Sequence, residues 1–157
     1  MNDNDVPYME RTREFYRAQG YTNDYQWAQH DDVPFCAPTK PLSECNIAVV
    51  TTAMPDTEAG RANRQVYSCS SQPIPSAMYT AELSWHKTMT HTDDVASFLP
   101  LLQLGRCAEE GLIAQLAEHY HSIPTEYSQR NTLEKDAPEI LARCRQDKVD
   151  AVVLVPL

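Results

Sequence analysis

At 157 residues, with 42% apolar and 22% charged side chains, the chain has the size and composition of one globular domain able to bury a core, not of a disordered polypeptide. Thirteen basic against 22 acidic side chains leave a net charge of −9, which repels phosphate backbones and anionic lipid and argues against nucleic-acid and membrane partners. Five cysteines, an odd number without a CxxC spacing, argue against a disulfide framework and fit a reducing cytoplasm.

The first residues, Met1–Arg13, are polar and charged and do not read as a signal peptide. Tyr8–Gln19 reads as a helix with Met9, Phe15 and Tyr16 near one face and Gly20 as its C-cap. With Tyr21, Tyr25, Trp27 and Phe35 it belongs to an aromatic-rich, irregular N-terminal arm, residues 1–41, expected to pack on the domain or on a partner. An α/β domain, residues 42–157, follows. Cys45–Thr52 is a continuous apolar run ending in hydroxyl residues, the pattern of a buried parallel strand delivering its carboxyl end to a loop. Met54–Ser76 reads as a long excursion and Met78–Leu83 as a short strand. The leucines at 99, 101, 102 and 104 predict a helix from about Pro100, stopped by Gly111. Leu112–Glu118 reads as a strand or short helix leading into His119-Tyr120-His121. Asp136-Ala-Pro-Glu139 resembles a capping box, with Ile140, Leu141 and Cys144 as the buried stripe of the helix it opens, and Val149–Val155 reads as a buried strand. Strand, excursion, helix and strand predict a three-layer α/β domain with a largely parallel, Rossmann- or flavodoxin-like sheet, whose sites sit at the carboxyl ends of the strands. The longest apolar runs, Phe98–Leu102 and Ala151–Leu157, are far too short to cross a bilayer.

The densest polar cluster is residues 85–94, which hold His86, Lys87, His91, Thr92, Asp93 and Asp94. Its default reading is a hydrogen-bonded loop with an aspartate as helix cap. Next comes a polar substrate pocket, and last a metal site in which His91 and Asp93 are completed by His119 or His121. His119 and His121 share one side of an extended segment, suited to proton transfer near neutral pH, and Glu126 and Tyr127 are placed to join the same pocket. Cys45, Cys107 and Cys144 fall on apolar faces and read as small core residues, while Cys36 and Cys69 fall in loops. No cysteine has a histidine at a nucleophile spacing, and GxGxxG, P-loop and GxSxG patterns are absent. No cofactor is evident.

As a set, YMERTREFYRAQGY, WAQHDDVPF, KPLSECNIAVVTTA, THTDDVASFLPL, EEGLIAQLAEHYHSIPTEYSQR and DAPEILARCRQDKVDAVVLVPL span nearly the whole chain and resemble the glycine/sarcosine/betaine reductase selenoprotein B-like proteins, relatives of the D-proline reductase subunit. The resemblance implies a selenium- or thiol-dependent reductase that cleaves the C–N bond of a small amino-acid derivative. In that reading His86, His91, His119 and His121 position or protonate the substrate, and Lys87, Thr92, Asp93, Asp94, Glu126 and Tyr127 line its pocket. In similar proteins the strand ending in a VPL-like sequence runs into Cys-x-x-Cys-His and then a further helix and strand. The resemblance therefore implies a selenocysteine or redox thiol beyond Leu157, with three origins open for the short chain: a UGA codon, a cut, or a natural short form completed by a partner. Alone, the chain is expected to bind a small-molecule substrate without turning it over. Two alternatives remain: a non-catalytic binding or assembly subunit, homo-oligomeric through an open sheet edge, and a metal-dependent lyase or hydrolase using the His/Asp cluster.

Overall fold

A computed structural model describes residues 6–24, 26, 29, 31–33, 35–83, 88–125 and 128–157. The chain divides into two compact units, Met1–Phe35 and Cys36–Leu157. In the first, α1 (Tyr8–Ala18) ends where Gly20 takes φ +89°, the left-handed conformation expected of its C-cap. The rings of Phe15, Tyr16 and Tyr21 meet edge to face, with centroids 5.7 and 5.5 Å apart, and Arg17 pairs with Asp24.

The second unit is a mixed α/β fold around a mostly parallel sheet. Its central strand, β1 (Asn46–Thr51), is buried at every position, as the apolar run predicts. The carbonyls of Cys45, Ile47 and Thr51 accept from Ala114, Ala117 and Ile123, so β5 (Gln115–Leu116) and β6 (His119–Ser122) follow each other along one edge of β1. On the other edge, the Asn46 carbonyl accepts from Asp150 and β7 (Ala151–Val155) runs parallel, with Ile47 opposite Ala151 and Thr51 opposite Val155. The excursion after β1 carries β2 (Met54–Pro55), α2 (Glu58–Ala62) and β3 (Tyr67–Ser70). Strand β3, which the sequence does not announce, adds antiparallel to β6, so Cys69 lies on a strand and not in a loop. The short strand expected near Met78 is β4 (Met78–Tyr79), paired with β2 outside the main sheet.

Strand periodicity assigns the two sheet faces. Val49 and Tyr120 gather with Phe98, Leu99 and Leu101 into the main apolar cluster, at the start of α3 (Leu101–Glu109). Cys45, Ile47 and Ile113 extend this packing, with Leu104 and Cys107 against them. Helix α3 begins after Pro100 and stops at Gly111, φ +74°, as the sequence predicts.

The opposite face carries Asn46, His121 and Ser68: Ser68 accepts from Arg143 of α5 (Ala137–Gln146) and lies against His121, and Asn46 donates to the turn after α5. Here the capping-box expectation fails. Helical structure begins further back, at α4 (Gln129–Asn131), where the Ser128 hydroxyl accepts from the Asn131 N–H, and it runs through a wide π-type turn, Thr132–Asp136, into α5. Pro138 thus lies inside a longer helix. It has no N–H for the Glu134 carbonyl and its ring crowds that group, and the widened turn just before it relieves the conflict. Asp136 makes no cap hydrogen bond. Of the predicted stripe, Cys144 is buried while Leu141 is half exposed. Strand β7 is not the buried strand expected either. Among the described residues it pairs with β1 alone, leaving Leu154 71% exposed and Val152 and Val153 partly so.

Candidate active site at the carboxyl ends of the parallel strands

Strands β1 and β6 end side by side, with Thr51 paired to Ser122. The chain beyond each of them opens a cavity of about 300 Å³. Thr52 follows β1, and Pro124 and Thr125 follow β6. Met54 of β2, Gly60 and Arg61 of α2, Arg64 in the link to β3, and Tyr79, Thr80, Glu82 and Leu83 around β4 also line it. The local fold explains why these groups meet there. The Thr57 hydroxyl caps α2 by accepting from the Gly60 N–H at 3.0 Å, which turns the short helix back over β2. Gly60 then passes so close to β2 that a Cβ would lie 2.2 Å from the Pro55 carbonyl oxygen.

Two arginines and one glutamate give this cavity its electrostatics. Arg61 donates from Nε to Asp56 at 2.8 Å and lies 5.4 Å from the Tyr79 ring centroid. Arg64 makes a two-pronged pair with the buried Asp136, Nη2 to Oδ2 at 2.7 Å and Nη1 to Oδ1 at 3.3 Å. The Tyr79 hydroxyl donates to Glu82 at 3.3 Å, and burial, then the Glu82 charge, pushes the phenol above its ordinary value. The Thr52 hydroxyl accepts from the Leu157 N–H at 2.8 Å.

The residues expected from sequence distribute as follows. His91, Thr92 and Asp93 line a second, open depression of about 430 Å³ that shares Arg61, Tyr79 and Thr80 with the cavity. Thr92 reaches this shared wall, with its hydroxyl 2.7 Å from that of Thr80. His91 accepts from the Asp93 N–H at 3.4 Å, and both side chains are largely exposed. Asp94 accepts from the Ala96 N–H at 3.1 Å and caps the 3-10 turn Val95–Ser97, which is the helix-cap reading of the cluster. His119 and His121 do share one side of β6, but that side faces α5. His119 lies 2.9 Å from the Asp147 carboxylate near the amino-terminal end of β6, and fully buried His121 lies 2.8 Å from the Ser68 hydroxyl. Neither lines the cavity among the described residues. His86, Lys87, Glu126 and Tyr127 lie outside the described residues. Among those described, no three of His, Cys, Asp and Glu come together as a metal site. Nor is any helix long and apolar enough to cross a membrane.

The sequence reading missed Arg61, Arg64, Tyr79 and Glu82. Its one available signal was a pair of arginines three residues apart in the excursion after the first strand of an acidic chain.

The family model for glycine/sarcosine/betaine reductase selenoprotein B matches residues 15–156. The chain belongs to this family. No curated protein and no solved structure matches it. The matched span contains both strand ends, α2, Arg61, Arg64, Glu82 and Asp136, so the whole lining of the cavity belongs to this selenoprotein B-like region. Of the five cysteines, Cys45 and Cys144 are buried, Cys69 and Cys107 are partly buried and Cys36 is exposed, and none lines the cavity.

Proposed function

We propose that this chain is a selenoprotein B-like reductase component whose cavity at the carboxyl ends of β1 and β6 binds a small amino-acid derivative for reductive C–N cleavage. The carrying observation is that a positively charged guanidinium, Arg64, and a carboxylate, Glu82, line one cavity of about 300 Å³. That is the complement of a small zwitterion. The family name carries glycine, sarcosine and betaine, each with a carboxylate and a cationic nitrogen on one carbon. In this reading Arg64 takes the carboxylate, with the Thr125 hydroxyl beside it, and Glu82 takes the cationic nitrogen. In this reading His91, which lines the adjoining depression, exchanges a proton with the ligand. A Rossmann- or flavodoxin-like layering of the full domain goes with this reading, because such sheets bind ligands beyond their strand ends.

Reductive cleavage takes a thiol or selenol nucleophile, and no cysteine lines the cavity among the described residues. The nucleophile in this proposal comes from a partner subunit or from residues outside these 157, so the isolated chain binds without turnover. Titration followed by calorimetry or ligand-observed NMR tests the binding half. Betaine and sarcosine are expected to bind, choline, which lacks the carboxylate, is not, and Arg64→Ala is expected to weaken betaine tenfold or more. Equal binding of choline and betaine, or no binding of any of the carboxylates, overturns the reading.

An assembly role is the second reading. Strand β7 favours it, since it exposes Val152, Val153 and Leu154 along an edge with no partner strand among the described residues.

A further inference from the structure

We propose that Ser68 is a nucleophilic hydroxyl that takes an acyl group from an activated ester, with His121 as its base. The site lies on the sheet face that meets α5, and none of its residues lines the cavity, so it is independent of the ligand bound there. Ser68 is exposed, and its Oγ lies 2.8 Å from Nδ1 of fully buried His121. Arg143 Nη1 donates to the same Oγ at 2.9 Å. Since a guanidinium only donates, the serine proton is directed to Nδ1, and the neutral ring carries its own hydrogen on Nε2. That Nε2 is buried without a partner, so among the described residues the ring spends its hydrogen bonding on Ser68 alone. A base and a cation thus converge on one hydroxyl, the arrangement that makes a serine reactive. Burial, above all, keeps the imidazole neutral near pH 7, the form that accepts a proton.

The strand register supplies the rest. Ser68 stands opposite His121 across β3 and β6, and the Ser71 N–H donates to the Glu118 carbonyl at 2.7 Å. Hydrogen-bonded pairs alternate along an antiparallel ladder, so Ser68 and His121 form a pair whose backbone groups point apart. Their side chains approach closely, and the Ser68 N–H turns to the sheet edge, where no further strand pairs among the described residues. That N–H and Arg143 are the donors that meet the oxyanion of an attacked carbonyl. Ser70 is the built-in control. It occupies the same kind of position, opposite His119, but its hydroxyl is turned to Gln72 and His119 is held by Asp147.

In the step, Oγ bonds to the acyl carbon while its proton passes to Nδ1 and on to solvent. The bond from that carbon to the leaving oxygen breaks, and the oxygen departs with the electron pair. The other charges at this face are Asp147, His119 and the Arg143–Glu139 pair. The test treats the full chain with p-nitrophenyl acetate, whose leaving group departs as an anion, and follows acetylation by peptide mass spectrometry from pH 5 to pH 8. Ser68 is expected to acetylate about 100-fold faster than Ser70, at a rate that is level above pH 6.5 and falls below it as His121 takes up a proton. A hydrogen bond serving structure alone gives no such profile. Folded His121→Asn is expected to slow the reaction about 100-fold, and Ser70→Ala to leave it unchanged. If circular dichroism shows His121→Asn to be unfolded, Arg143→Gln replaces it, with about a tenfold slowing expected. Acetylation of Ser68 no faster than of Ser70, or a folded variant within threefold of wild type, overturns the proposal. So does a rate that keeps rising tenfold per pH unit up to pH 8, which is hydroxide chemistry without a base.

Discussion

The buried imidazole of His121 is expected to make the packing of α5 against the sheet acid-sensitive. His121 Nδ1 lies 2.8 Å from the Ser68 hydroxyl, which itself lies 2.9 Å from Arg143 Nη1. A guanidinium only donates, so Ser68 accepts from Arg143, and we assign its own proton to Nδ1, leaving neutral His121 with its hydrogen on Nε2. That Nε2 is buried without a partner among the described residues. Burial, above all, holds His121 below its ordinary 6.5; Asp147 opposes the shift, and Arg143 and His119 add to it. The other charge at this face is Glu139, paired with Arg143. The native state therefore binds this proton less readily than the unfolded chain. The contribution is present in full above pH 6.5 and is lost as pH falls from there through the lowered native value. Over that window stability falls with pH, with a slope of at most about 1.4 kcal/mol per pH unit. Urea unfolding of the wild type and of His121→Asn between pH 8 and pH 5 measures it. Asparagine offers an oxygen near the place of Nδ1 but does not titrate. The variant is expected to lose about 1–3 kcal/mol at pH 8 through lost ring packing, and to show a shallower slope below pH 6.5. Equal slopes for the two proteins in that window would show that the titrating group is elsewhere.

Two further expectations concern backbone approach and the open edge. Gly60→Ala puts a methyl carbon 2.2 Å from the Pro55 oxygen, so α2 must shift; thermal unfolding is expected to report a loss of about 1–3 kcal/mol, and a variant as stable as wild type would refute the close approach. If β7 joins a second copy, light scattering is expected to find a dimer at micromolar concentration that Leu154→Lys returns to monomer, and a wild-type monomer would remove the assembly reading.

What the sequence made legible was local. The central strand, the helix between Pro100 and Gly111 and the C-cap at Gly20 each rest on a periodicity or on a residue with one strong backbone preference. Strand β3 was not legible, because its alternation of Tyr67 and Cys69 with serines is only four residues long, and it is held by its register with β6, from Tyr67 opposite Ser122 to Ser70 opposite His119. The exposure of β7 was not legible for the converse reason. Its AVVLV sequence suits burial, and only the sheet order puts it at an edge.

The site divides along the same line, and the division explains why histidines drew attention while arginines did the lining. Residues 85–94 stand out because chemistry is dense there in sequence, and the structure brings Thr92 to the cavity wall and His91 next to it. The cavity itself is assembled from sparse contributions: one arginine from a short helix, another from a link, a glutamate after β4, and hydroxyls after two strands. No window of the sequence holds them together. Arg64 and Asp136 show the limit most clearly, since the carboxylate reads locally as a helix cap and acquires its partner only when the wide turn before Pro138 moves the helix start back to Ser128. A local rule, the capping box, is set aside here: the Asp136 carboxylate pairs with Arg64 and gives up the N–H contacts of a cap, which is worth about 1 kcal/mol.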